Sequence, residues 1–167
     1  FLDQCPAVVS LGHTDADYET CMEAFRRGAT SLTHTYNVMP GIHHRAPGPI
    51  GAGSDSEGVY AELICDGIHI SPEIVNLTHK IKRDRLVLIS DSMEATDCPD
   101  GEYSIAGNKV TVKSGIAHTL DGALAGSTLT LDRALENLMS FCNIKLEDAI
   151  INATEAPAKE VGIFNEY

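Results

Sequence analysis

The sequence predicts an α/β protein built on a parallel sheet, and three observations carry that expectation. Four apolar, strand-like runs each end on a polar, chemically able residue: residues 7–12 run into His13, Ser31–Thr33 into His34, Ala61–Ile68 into His69, and Leu86–Ser90 into Asp91. Helix-like segments follow the first, third and fourth runs, the order expected when parallel strands are joined by crossovers. Parallel strands also bring their C-terminal ends to one face, where β/α enzymes place their chemistry. Three histidines and an aspartate on that rim form a candidate metal site with an acid/base partner.

The elements can be justified in order. Thr14 with Asp17 reads as a capping box, and Tyr18, Cys21, Met22 and Phe25 recur at helical spacing before Gly28 stops the first helix. Ser71-Pro72-Glu73 supplies an N-cap, a proline at the first helical position and an acidic first turn; Ile74, Leu77, Thr78 and Ile81 then mark one face. A third helix carries Leu131, Ala134, Leu135, Leu138, Met139 and Cys142, and a fourth carries Leu146, Ala149, Ile150 and Ala153, ending before Pro157. Between Asp91 and the third helix, Tyr103–Ile105 and Val110–Val112 flank a turn at Ala106-Gly107-Asn108. This reads as a hairpin, with a further short pair through Gly115–His118, inserted on the active rim. The Gly- and Pro-rich Pro40–Gly53 and the stretch Ala95–Gly101 read as loops, and no repeat or linker divides residues 1–167. Four parallel strands do not close a barrel, which takes about eight. The chain therefore reads as part of a larger fold, whose open edges another chain or a second copy would cover.

Composition narrows the function. Hydrophobic residues at 43% and charged residues at 22% fit a globular chain, and no apolar run approaches the ~20 residues a bilayer span needs. The net charge of -12 argues against nucleic acid, so an anionic ligand must be held by a local basic cluster. Five cysteines without a CxxC pair (Cys5, Cys21, Cys65, Cys98, Cys142) point to a reducing, cytoplasmic setting with packed thiols. Cys65 lies near His69 on one strand, where packing is the expected role and metal ligation the alternative.

His13 and His34 end two consecutive strands and should stand side by side, where imidazoles suit a divalent metal such as zinc. A hydrogen-bonded structural pair is the alternative. Asp91 emerges from an apolar strand and can act as general base and acid, or serve as an N-cap. His69 can orient a substrate carbonyl or simply enter a helix. His43-His44-Arg45 is the basic cluster of an otherwise neutral loop and a candidate phosphate clamp, against a solvated loop. His79 and His118 read as structural or solvated.

Six segments now carry a resemblance. Leu11-Gly12-His13-Thr14-Asp15, Thr33–Pro40, His44–Gly48, Asp66-Gly67-Ile68-His69, Ser90-Asp91-Ser92-Met93 and Leu124–Leu129 come in the order seen in N-acetylglucosamine-6-phosphate deacetylases, amidohydrolase-superfamily enzymes. The chain resembles that family across essentially its whole length. The resemblance implies a (β/α)8 TIM barrel of which residues 1–167 supply strands five to eight plus a hairpin insertion. It implies that His13 and His34 bind the metal, zinc first, with iron, cobalt or manganese as alternatives. Asp91 matches the catalytic aspartate, His69 a substrate-contacting histidine and Arg45 a phosphate-binding arginine that can reach across a homodimer. Asn37 and Val38 match a phosphate-holding segment, and Leu124, Ala125 and Gly126 a loop lining the sugar pocket. The implied partner is a small amino-sugar phosphate, with no nucleic acid or membrane.

The implied chemistry is metal-assisted hydrolysis of an acetamide, with Asp91 taking a proton from water and returning it to the amine. The chain departs from the family in lacking the upstream His-Leu-Glu-Gly-Pro-like stretch with its metal-binding glutamate, the first half of the barrel and the small β-domain. Val38 stands where family members often have alanine. The isolated chain is accordingly expected to be weak or inactive. Two other readings stay open: an amidohydrolase acting on a different amide, and a non-catalytic half-barrel that self-associates through its strand edges.

Overall fold

The computed structural model describes residues 7–166; Cys5 lies outside them. Four short strands, β1 (Val9–Leu11), β2 (Ala29–Leu32), β3 (Tyr60–Ile64) and β4 (Leu86–Ile89), form one sheet in the order β1-β2-β3-β4. All three pairings are parallel, as expected, so the four C-terminal ends share one rim.

The crossovers are helical. Helix α1 (Tyr18–Arg26) starts at Asp17, whose Oδ1 accepts the Thr20 N–H at 2.8 Å. The cap is therefore Asp17, not Thr14; the Thr14 hydroxyl instead accepts the Ala16 N–H in the approach to the helix. Between β2 and β3 the expected loop over Pro40–Gly53 is corrected by a helix, α2 (Gly48–Asp55). Pro47 and Pro49 suit a first turn that needs no N–H donors. The glycines let α2 press on the sheet: a Cβ on Gly53 would sit 2.4 Å from Leu32 Cδ1.

Helix α3 (Pro72–Lys82) begins after Ser71 as expected, but its buried residues are Val75, Thr78 and Lys82. Leu77 and Ile81 are exposed, so the apolar face assigned from spacing is rotated. Lys82 goes inward because its ammonium donates to the carbonyls of Gly53 (2.8 Å) and Ser56 (3.2 Å), closing the end of α2. Burial pushes its pKa down to about 8.

After β4 comes a second, antiparallel sheet of β5 (Gly101–Ile105), β6 (Asn108–Lys113) and β7 (Ile116–Thr119), as the hairpin reading expects. Both of its turns, Ala106-Gly107 and Ser114-Gly115, have positive φ at both central positions, the geometry of a two-residue hairpin turn. Its apolar face packs Val110, Val112 and Ala117 on Met93, Ala95 and Ala125.

Helix α4 (Leu131–Cys142) follows the predicted stripe, burying Ala134 and Leu138. The fourth predicted helix divides into α5 (Leu146–Ala149), a 3₁₀ turn (Ile150–Ala153) and α6 (Glu155–Glu160). Pro157 lies inside α6 rather than beyond it, in a first turn where its missing N–H costs little. The core joins Leu63, Cys65, Leu86 and Leu88 of the sheet to Val75, Leu138 and Ala149 of the helices. Tyr60 and Val87 pack instead with Ala156 of α6. Strands covered on both faces explain the nearly continuous apolar runs. Among the described residues, no helix is long and apolar enough to cross a membrane.

Candidate metal and active site

His13 and His34 meet on the rim. Parallel pairing of β1 with β2 continues one residue further, through the Thr33 N–H to Leu11 carbonyl bond (2.8 Å). Gly12 then permits close approach, since a Cβ there would lie 2.8 Å from Thr33 Cβ. The two imidazole centroids stand 4.8 Å apart, tilted by 58°. His13 is exposed and His34 buried. Nδ1 of His34 is buried with no hydrogen-bond partner among the described residues. A buried nitrogen without a partner is costly, and beside a second imidazole it is chemically suited to a metal. The pair fits part of a metal donor set. No group of three His, Cys, Asp or Glu side chains converges as a metal centre among the described residues.

His13 (φ 45°), His34 (φ 32°) and Asp91 (φ 48°) all hold left-handed backbone, uncommon outside glycine although His and Asp adopt it more readily than most. Three strand ends bent in the same unfavourable way, each presenting a residue able to do chemistry, fit a functional rim. Asp91 is exposed at the end of β4.

The site also contains a residue that sequence reasoning missed. Glu62 sits in the middle of β3, and its Oε2 accepts the His34 N–H at 3.4 Å. Burial first, and then the charges of Glu160 and Asp91, push its pKa up to about 7 against the opposing pull of the His34 bond. Glu160 comes from α6; burial raises its pKa too, while the Ser31 hydroxyl, which donates to its Oε1, pulls it back. Between the ordinary 4.5 of Glu62 and about 7, the folded chain holds a proton that the unfolded chain has released. Stability therefore falls as pH rises through that window. Glu62→Gln, which cannot ionise, is expected to flatten this fall in metal-free protein. The variant should be the more stable of the two at pH 8 and nearly equal to the parent at pH 4. Urea unfolding at the two pH values checks it; parallel curves for the two proteins would contradict it.

His69 is held by Asp66. Asp66 Oδ2 meets His69 Nδ1 at 2.6 Å, while Oδ1 accepts the N–H groups of Ile68 and His69, both at 2.8 Å. Burial raises the Asp66 pKa, but these bonds outweigh it and hold the carboxyl below its ordinary value. An ionised Asp66 needs a donor, which keeps the imidazole proton on Nδ1 and leaves Nε2 to a ligand. Both residues line a cavity of about 490 Å³ that is also bordered by Gly126, Ser127, Asp132 and Arg133.

The remaining predicted residues are placed as follows. The Asn37 side chain donates back to the His34 carbonyl at 3.2 Å. Val38 is 64% exposed and holds a positive φ of 52°, an unfavourable backbone for a β-branched residue. Arg45 is exposed, with its Nη1 2.6 Å from His44 Nε2, and His43 stacks on His44 at 4.3 Å. Arg45 lines a hollow with Asp15, Tyr18 and Pro40, next to a second hollow that His13, Asp15, Val38 and Pro40 border. Leu124 is exposed, Ala125 is buried in the small core of the inserted sheet, and Gly126 lies against the Asp91 carbonyl. Cys65 is fully buried in the main core, where burial pushes its thiol up to about 12. His79 is half-buried on α3, and His118 sits on β7 with Nδ1 3.3 Å from the Gly122 carbonyl.

A parallel sheet with histidines and an aspartate at its strand ends is an architecture that many hydrolases share, and the whole-chain comparison is specific. Residues 4–167 match the amidohydrolase family, and the chain belongs to it. It is 42% identical, over 98% of its length, to an N-acetylglucosamine-6-phosphate deacetylase of Vibrio furnissii. It is 40% identical, over 93% of its length, to an N-acetylgalactosamine-6-phosphate deacetylase of Escherichia coli O157:H7. The chain spans 41% of each of these relatives. In structure it is similar to a variant N-acetyl-D-glucosamine-6-phosphate deacetylase from Mycobacterium smegmatis, solved in complex with N-acetyl-D-glucosamine-6-phosphate. That match has a TM-score of 0.90 and 33% identity, covering 93% of this chain and 42% of the other.

Proposed function

We propose that the chain supplies strands five to eight of a (β/α)8 barrel, within one catalytic domain that residues 1–167 share with the rest of the full-length protein. That protein hydrolyses N-acetylglucosamine 6-phosphate to glucosamine 6-phosphate and acetate. The observation that carries this reading is the His13–His34 pair, adjacent and with a buried nitrogen of His34 unpartnered among the described residues. Amidohydrolase-family enzymes are generally metal-dependent, and His13 and His34 are the residues that would hold the ion, zinc first, with iron, cobalt or manganese as alternatives. When bound, a divalent ion supplies Lewis acidity to an amide and lowers the pKa of water.

The chain's own residues do the rest. Asp91 takes the proton of the attacking water on its carboxylate and delivers it to the nitrogen as the amine leaves. His69, when it carries a proton on Nε2 as well as the Nδ1–H that Asp66 accepts, donates from Nε2 to the carbonyl oxygen as charge develops there. Asn37, Val38 and Arg45 hold the phosphate, and Leu124, Ala125 and Gly126 wall the sugar. The exposure of Arg45 suits a guanidinium that serves a neighbouring subunit of a homodimer. The cysteine pattern supports a cytoplasmic setting.

A second reading is N-acetylgalactosamine 6-phosphate, which differs at one sugar hydroxyl; the 40% identity to a relative of that specificity favours it nearly as much. Acetate release from the two phosphorylated sugars and from unphosphorylated N-acetylglucosamine separates the cases. N-acetylglucosamine 6-phosphate is expected to give the highest kcat/KM and the unphosphorylated sugar the lowest. Arg45→Ala is expected to raise KM for the phosphorylated sugar about 10- to 100-fold at nearly constant kcat. An unchanged KM would remove Arg45 from the phosphate site.

A further inference from the structure

One buried hydroxyl near the rim is assigned no role by the reading above. Ser127 is almost fully buried and uses every polar group it has on its surroundings. Its N–H donates to the Asp91 carbonyl (2.8 Å), and its carbonyl accepts the Met93 N–H (2.9 Å). Its hydroxyl donates to the Ser90 carbonyl and accepts the Leu129 N–H (3.0 Å). Three of these four bonds grip Asp91 and its neighbours on both sides, Ser90 and Met93, so that Ser92 and Ser127 pair as a short parallel bridge. Asp91 itself holds a left-handed φ of 48°, a conformation that persists only where the surroundings enforce it. Gly126 adds to the grip: a Cβ there would lie 3.3 Å from the Asp91 carbonyl oxygen and 3.2 Å from Ile105 Cδ1.

We propose that Ser127 is a positioning residue for Asp91, its hydroxyl clamping the Ser90 carbonyl so that the strained backbone aims the Asp91 carboxylate into the site. The inference rests on the catalytic reading of Asp91. Ser127 touches no reacting atom; it acts through Asp91 alone. The inserted sheet shares the clamp, because Met93 and Ala125 flank it and belong to that sheet's small core. Ser127→Ala leaves the backbone bonds to Asp91 and Met93 in place and removes the two bonds of the hydroxyl, to the Ser90 carbonyl and from the Leu129 N–H.

The test uses the full-length protein and four variants: Ser127→Ala, Asp91→Asn, the double variant, and Val75→Ala as a control. Val75 is fully buried in α3, away from the rim, so its truncation lowers stability without touching Asp91. Ser127→Ala is expected to lower kcat about 10-fold or more, because small misplacements of a reacting group are costly, with KM within twofold. Added to Asp91→Asn, it should lower the residual kcat less than twofold, since the two residues act as a unit. Val75→Ala should keep kcat within threefold despite a lower Tm. The proposal is overturned if Ser127→Ala keeps kcat within twofold, if its loss is the same in both backgrounds, or if Val75→Ala loses as much kcat. Near-normal kcat in Asp91→Asn would overturn the catalytic reading itself, and the role of Ser127 with it.

Discussion

Asp91→Asn in the full-length protein is expected to lower kcat for acetate release by about 10³-fold while leaving KM within a few-fold. An amide of the same shape cannot accept a proton from water or pass one to a leaving amine, and general acid–base catalysis is worth about 10²–10⁴-fold. The substitution should not disturb the fold. Asn tolerates the left-handed backbone found at position 91, and Asp91 is exposed, so no buried charge is left unpaired. It also removes one of the charges that raise the Glu62 pKa, which should move down from about 7. A Glu62 titration followed by NMR in metal-free protein would register that shift even without turnover. Activity within tenfold of the parent would remove Asp91 from the proton path.

His34→Ala is the second large effect. It should lower metal affinity by about 100-fold or more, because it deletes one of two adjacent imidazoles that act as donors. The unloaded protein should change far less. His34 carries a buried nitrogen without a partner among the described residues, so truncation relieves a cost of about 1–3 kcal/mol while losing packing of similar size. The two effects separate in a thermal melt. A metal at 100 times its Kd stabilises by about 2.7 kcal/mol, so zinc should raise the Tm of the parent and leave that of His34→Ala nearly unmoved. Equal shifts in both proteins would place the metal elsewhere. Glu62→Ala leaves both imidazoles in place and removes the acceptor of the His34 N–H, so its effect on the metal-induced Tm shift should be milder.

Much of this site was legible in the sequence because each of its parts is local. A β-strand ending in His or Asp declares where its side chain emerges, and parallel pairing then brings His13 beside His34 without further information. The hairpin over Gly101–Lys113 was legible for the same reason, from a turn flanked by alternating residues. Glu62 was not legible. A single carboxylate within an apolar strand signals nothing by spacing, and its meaning comes from Glu160, which the fold brings to it from α6. Ser127 is similar: its clamp on Ser90 and Asp91 spans the whole inserted sheet. Helix α2 was hidden by glycines and prolines, which ordinarily mark loops but here serve a helix start and close packing on Leu32. The buried face of α3 was misassigned because Lys82 turns inward to close α2, a contact that no periodicity records.

The central claim is that His13 and His34 hold a metal on which an amino-sugar phosphate deacetylase depends. The measurement that tests it most directly is acetate release from N-acetylglucosamine 6-phosphate by the full-length protein, before chelation, after chelation, and after return of zinc, iron, cobalt or manganese. Turnover that chelation abolishes and at least one of these metals restores is expected. Turnover that survives complete metal removal, or a folded, metal-loaded protein that releases no acetate, would contradict it.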